Sequence, residues 1–211
     1  MVFWLTAQRV FDEGWETALI IEGDVDWDLD IKSQMQLLAS TTRALANARH
    51  DPSTQITDNN PTTNPYGHEW DMLWIGACAN PPGPPNSELC PGENGSHAHW
   101  VYYAHGGLCC NWAYAVTRAS AKSLLVWLQD LDEPTDFAMS RWCGLNDCIV
   151  VWPELFGSFT PPGGRRRGSD NDPNRAEEKE DLEKGSTRNI VNSATVDLFE
   201  KLGHKGLWSG P

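Results

Sequence analysis

The sequence predicts an α/β fold, and three observations predict it. Two runs, Thr17-Ala18-Leu19-Ile20-Ile21-Glu22 and Asp71-Met72-Leu73-Trp74-Ile75-Gly76, are nearly continuously apolar over strand length. That is the pattern of strands buried on both faces of a parallel sheet. Other segments carry apolar residues at helical spacing, with Ile31, Met35, Leu38, Thr42 and Leu45 on one face and Ala121, Leu124, Leu125 and Leu128 on another. Finally, a chain of 211 residues, 40% hydrophobic and 21% charged, is long and apolar enough for one sizeable core.

Taken in order, Val2 to Phe11 reads as a helix ended by Glu13-Gly14, and the first apolar run follows as a strand. Gly23 opens a turn with alternating acids at Asp24, Asp26, Asp28 and Asp30, and Asp28 or Asp30 can cap the helix expected from Ile31 to Arg49. The Pro-, Asn- and Thr-rich stretch from Asp51 to Glu69 reads as a loop, as does the proline-broken stretch from Asn80 to Gly95 on the far side of the second strand. His99 to Tyr103 and Trp112 to Val116 read as strands, and Thr117 caps a helix starting at Arg118. Pro134 suits the first turn of a short helix, and Ile149-Val150-Val151-Trp152 is the last expected strand. Residues 1–160 are thus expected to form the domain, 161–188 a mobile charged loop, and 189–211 a tail with a weak helix near Ser193 to Leu202.

A net charge of −13 excludes a general binder of phosphate backbones, so no nucleic-acid partner is expected. The basic run Arg165-Arg166-Arg167 is too short to reverse that; among neighbouring acids it reads as a solvated loop, with diphosphate contact as the sharper alternative. No stretch has the length of an apolar membrane span, and Met1 to Val10 lacks the pattern of a signal peptide. Six cysteines, Cys78, Cys90, Cys109, Cys110, Cys143 and Cys148, suggest disulfides whose pairing the sequence leaves open. Zinc is disfavoured because no Cys-x-x-Cys pair occurs, while buried thiols are the plainer alternative. Asn94-Gly95-Ser96 is a glycosylation sequon. Of the 11 tryptophans, Trp74, Trp112 and Trp127 lie in apolar runs and read as packing, whereas Trp27, Trp70 and Trp100 are candidates for stacking on sugar rings.

The acids after the first strand are the informative feature. Carboxylates at the carboxyl end of a buried strand sit where open α/β sheets bind ligands, and oxygen donors there suit Mg²⁺ or Mn²⁺. An EF-hand loop also begins with alternating acids, but here Leu29 and Met35 replace its glycine and its last glutamate. A structural reading makes Asp28 and Asp30 caps and leaves Asp24 and Asp26 solvated.

Ala18-Leu19-Ile20-Ile21-Glu22-Gly23-Asp24-Val25 resembles the strand and metal motif of family 25 glycosyltransferases, which include lipooligosaccharide and collagen galactosyltransferases, and Asp26-Trp27-Asp28 resembles the fungal members. Further blocks follow in the family's order: Asp71 to Gly76, Ala113-Tyr114-Ala115-Val116-Thr117-Arg118, Pro134-Thr135-Asp136, Pro153-Glu154-Leu155-Phe156, Ser169-Asp170 and Thr187-Arg188-Asn189-Ile190. The resemblance implies a GT-A fold, a Rossmann-like mixed sheet flanked by helices, incomplete at the N-terminus of this chain. It implies transfer of a hexose, galactose in some members, from a UDP-sugar to a glycan or hydroxyl acceptor, assisted by Mn²⁺ or Mg²⁺. On it, Asp24 and Asp26 hold the metal, Glu22 orients the loop or meets the donor, and Asp136 is the candidate general base, with helix capping as its structural alternative. A location in the lumen of the ER or Golgi follows from the family, the cysteines and the sequon, with any membrane attachment left to a segment outside this chain.

Three departures sharpen the expectation. The family's acidic pair reads Gly23-Asp24 here, and glycine offers no side-chain ligand. The motif starts at Ala18, so the strand–helix units that build a uridine pocket are expected to be missing. Ser158-Phe159-Thr160 stands where many such enzymes carry a histidine ligand, leaving His97, His99, His105 and His204 as candidates. An inactive remnant or carbohydrate-binding module is therefore the alternative function.

Overall fold

The computed structural model describes residues 2–49, 64–68, 70–78, 87–92, 95–129, 132–160 and 185–202. Helix α1 (Val2–Asp12) leads to β1 (Thr17–Ile21), β2 (Val25–Trp27) and α2 (Ile31–Arg49). Strands β3 (Met72–Gly76), β4 (Glu88–Cys90), β5 (His99–Ala104) and β6 (Ala113–Thr117) precede α3 (Arg118–Trp127) and α4 (Thr135–Cys143). The order closes with β7 (Cys148–Trp152), β8 (Phe156–Thr160), β9 (Ser186–Thr187) and α5 (Ala194–Leu202). The fold is mixed α/β: a six-stranded mixed sheet in the order β1-β6-β3-β7-β5-β4, flanked by helices and compatible with a Rossmann-like arrangement.

The alternation of side chains along each strand explains the apolar runs. Met72 and Trp74 of β3 face α1, α3 and α4, where they pack with Val10, Leu124, Met139 and Trp142. Leu73 and Ile75 face the other way, against Leu38 and Leu45 of α2. A strand covered on both faces needs apolar residues at every position. The expected cap of α3 is present, with the Ser120 N–H donating to Thr117 Oγ1 at 3.1 Å. Asp71 ties three element starts together, accepting from Ser120 Oγ at 2.9 Å and from the Asp147 N–H at 3.0 Å. Arg49 ends α2 in an ion pair with Asp147 and lies 4.4 Å from the ring centre of Tyr103.

Strand β1 departs from expectation. It is an edge strand, antiparallel to β6 from Thr17↔Thr117 to Ile21↔Ala113, and among the described residues no strand pairs with its outer edge. Ala18 and Ile20 pack into the α1-side core, but Leu19 is 44% exposed and Ile21 42% exposed. The path of α2 is the reason: it packs mainly toward β4 and β5, so among the described residues the odd-numbered face of β1 is only partly covered, by Ile31 and Met35 at the start of that helix. The only parallel pairing in the main sheet among the described residues is β3 with β7.

A second sheet, β2-β8-β9, left no period in the sequence, because β2 and β9 have three and two residues and β8 (Phe156–Thr160) shows neither an apolar run nor strict alternation. It draws in Ser186 and Thr187 as β9, so the end of the expected charged loop is a paired strand, held by Phe159↔Thr187 and Thr160↔Ser186. Gly157 is required there, because a Cβ at that position would lie 2.9 Å from Thr187 Cγ2. The expected charged loop lies outside the described residues from 161 to 184, as do Arg165–Arg167, Ser169-Asp170, Asn94 and His204. No helix among the described residues is long and apolar enough to cross a membrane.

Candidate functional site

Strands β1, β3 and β7 run in the same direction, so their carboxyl ends share one edge of the sheet. Glu22 and Asp24 follow β1 at that edge, and Glu22 is pinned by its N–H, which donates to the Trp112 carbonyl at 3.0 Å. Asp136, in the first turn of α4, comes to the same place. Its Oδ2 accepts the Cys110 N–H and its Oδ1 the Phe137 N–H, each at 3.0 Å. The loop that carries Cys110 is fixed in turn by the Cys78–Cys110 disulfide and by Trp74 Nε1, which donates to the Cys110 carbonyl at 3.0 Å. A bulge in β3 shapes this edge, and it demands Gly76, whose Cβ would meet the Ala113 nitrogen at 2.4 Å.

The charges of these acids interact. Partial burial, then Asp24, then Asp136 push the Glu22 carboxyl up from 4.5 to about 7. The like-charged neighbours disfavour a further anion, and a cation placed among them would relieve that repulsion. The linked stability effect has a definite sign. Glu22 titrates higher in the folded state, so the folded form is favoured in acid and loses stability as pH rises from 4.5 through about 7. Discounted for its solvent exposure, the loss is about 1–2 kcal/mol. Thermal melts at about pH 5 and about pH 8 are expected to show a smaller drop for Glu22→Gln than for the wild type. Equal drops would remove Glu22 from the effect.

Asp26 has a different role from the one its sequence position suggests. It is 0% exposed, and Thr187 Oγ1, Ser193 Oγ, Thr195 N and Thr195 Oγ1 all donate to it, at 2.6, 2.5, 3.0 and 2.8 Å. Four donors engage the lone pairs a metal would need, so Asp26 is a clamp holding the start of α5. Asp28 is likewise structural, but it does not cap α2: its bonds are to the turn before Ile31 and to the C-terminal segment. It accepts the Asp30 N–H and the Asn192 N–H, each at 3.0 Å. Asp24 remains exposed beside Glu22. Among the described residues no three carboxylates bring their oxygens within 4.8 Å of one another; the one such cluster of ligand atoms is Cys78, Cys109 and Cys110.

The tryptophan candidates also separate. Trp27 is 37% exposed, tilts against Phe156 at 6.1 Å, and lines an apolar cleft of about 290 Å³ with Leu19, Ile21 and Met35. A larger cleft of about 520 Å³ continues along β1 under Tyr66 and His68. Trp70 is only 6% exposed and its Nε1 donates to the Gly67 carbonyl, which makes it a core residue bordering that cleft and not a free stacking face. Trp100 is 38% exposed but sits on β5, four strand spacings from β1, or about 19 Å. Among the histidines, His99 is buried with Nδ1 2.6 Å from the Pro153 carbonyl, and burial lowers its pKa.

Two features escaped sequence reasoning. Glu154 is buried and bound by Asn189 Nδ2 at 2.9 Å, its carboxyl pushed up by desolvation, a contact across 35 residues that no local pattern marks. The cysteines pair as Cys78–Cys110 and Cys143–Cys148, while Cys90 and Cys109 stand outside disulfides. No family model matches this chain, and no curated protein matches it.

Proposed function

We propose that the chain is a metal-assisted glycosyltransferase of the family 25 type on a GT-A-like scaffold, taking a hexose from a UDP-sugar to a glycan or hydroxyl acceptor. The observation that supports this most is the convergence of Glu22, Asp24 and Asp136 at the carboxyl edge of the sheet. Carboxylate oxygens suit Mn²⁺ or Mg²⁺, and such ions are held by one or two carboxylates while phosphates and water fill the remaining positions. Asp24 would hold the ion, with Glu22 alongside it. A bound cation would neutralise charge that develops on the departing diphosphate.

The chain's own residues supply the rest. Glu22, fixed through its backbone to Trp112, sets the position of the Asp24 turn. Asp136 is oriented by two backbone N–H groups and would accept the proton of the attacking hydroxyl. Trp27 offers a half-exposed indole next to that edge for a sugar face. The two disulfides suit an oxidising compartment, and a secretory-pathway location is part of the proposal.

A carbohydrate-binding remnant on the same scaffold is the second reading. It is favoured by Gly23 and by the engagement of Asp26, which together leave Asp24 as the one exposed aspartate of the motif. Calorimetric titration separates the two. UDP binding that requires Mn²⁺ is expected for the enzyme; oligosaccharide binding with no UDP binding at any Mn²⁺ concentration sinks it in favour of the remnant.

A further inference from the structure

The three sulfurs of Cys78, Cys109 and Cys110 lie within 4.8 Å of one another. Cys78 is bonded to Cys110, yet the Cys109 thiol stands 2.9 Å from Cys78 Sγ. An unbonded thiol this close to one sulfur of a disulfide can attack it once the three sulfurs swing into line, a small motion from a resting arrangement that is bent. We propose that Cys78, Cys109 and Cys110 form a thiol–disulfide exchange centre, in which Cys78 alternates between its two adjacent partners.

The step is balanced within the chain. The Cys109 thiolate attacks Cys78 Sγ, the Cys78–Cys109 bond forms as the Cys78–Cys110 bond breaks, and Cys110 leaves as thiolate and takes up the proton that Cys109 released. One disulfide and one thiol are present before and after, so no oxidant or reductant is consumed. Burial, with a contribution from Asp136, pushes the Cys109 thiol up, which keeps the thiolate scarce at neutral pH and the exchange slow there.

The backbone around these sulfurs gives the exchange a consequence. The Cys110 N–H holds Asp136 Oδ2, and the Cys110 carbonyl holds Trp74 Nε1, each at 3.0 Å. Cys110 also occupies the left-handed region, with φ of 61°, a conformation that non-glycine residues adopt rarely. The Cys78 N–H in turn donates to the Cys109 carbonyl at 2.9 Å. Moving the covalent tether from Cys110 to Cys109 frees the residue that orients Asp136 and transfers the constraint to its neighbour. This inference stands on the sulfur geometry alone and does not depend on the glycosyltransferase reading.

The test maps thiols in the wild-type protein. After incubation in mildly alkaline buffer, the sample is quenched in acid, alkylated with N-ethylmaleimide, digested and fragmented by mass spectrometry. The label is expected on both Cys109 and Cys110, with the total staying at two thiols per chain, counting Cys90. Label confined to Cys109 and Cys90 after every incubation time overturns the proposal. Two variants bracket it: Cys109→Ser is expected to leave no label on Cys110, and Cys110→Ser to form a Cys78–Cys109 disulfide. A folded Cys110→Ser protein with free Cys78 and Cys109 thiols also overturns it; if that variant does not fold, the wild-type label distribution decides alone.

Discussion

Asp26→Ala is expected to destabilise the protein by about 3–5 kcal/mol, whether or not a divalent cation is present. The carboxylate is fully buried and accepts from four donors on residues 187, 193 and 195. Alanine leaves those donors without an acceptor in a dry site, and each buried donor so stranded costs about 1–3 kcal/mol. For a domain of this size the melting temperature should fall by roughly 10 °C. Loss is expected first in the C-terminal segment, because Asp26 links β2 to the turn that starts α5. Hydrogen exchange should show residues 186–202 opening before the main sheet does. Asp26→Asn keeps the shape but points an amide donor at existing donors, so it should recover only part of the loss. An Asp26→Ala protein that melts with the wild type in the absence of metal, and differs only when Mn²⁺ is added, would return Asp26 to the metal site.

Asp24→Ala is expected to do the opposite: leave stability within about 0.5 kcal/mol and abolish Mn²⁺-dependent UDP binding. Asp24 is exposed, and its effect on the fold is the repulsion it exerts on Glu22, so removing its side chain strands no partner. The same openness makes a gain testable. A Cβ built on Gly23 meets nothing within 4 Å, and the residue is outside the left-handed region. Gly23→Asp should therefore fold normally and add a second carboxylate beside Asp24, tightening Mn²⁺ by about tenfold through ligand charge. Unchanged calorimetric affinity in both variants would remove this turn from the metal site altogether.

The parts of the molecule legible in the sequence are those governed by local physics. Helix α2 begins and ends at the expected residues, because Leu38 and Leu45 recur on one face and Asp28 fixes the turn just before Ile31. The β6–α3 junction is marked by Thr117, whose hydroxyl caps three residues on. Strand β3 reads correctly as buried on both faces. Strand β1 has the same composition and a different fate, since an apolar run states that a strand can be buried and not which neighbours will cover it. Asp26 shows the limit most clearly. Its donors lie 161 to 169 residues away in the chain, so a motif of alternating acids could not distinguish a ligand from a clamp. The clustering of Cys78 with the Cys109–Cys110 pair was invisible for the same reason, because spacing alone disfavoured any site there.

The uncovered outer side of β1 has a consequence for how the protein behaves in solution. Among the described residues no strand pairs with the outer edge of β1, and an open rim bearing Leu19 and Ile21 is a template onto which another chain can add. Two copies pairing antiparallel about Leu19 would set Glu16 of one against Glu22 of the other, and that mutual repulsion guards against such edge-to-edge pairing. Because burial and its acidic neighbours push the Glu22 carboxyl up to about 7, the guard weakens with mild acidification, and two copies are expected to pair through their first strands there.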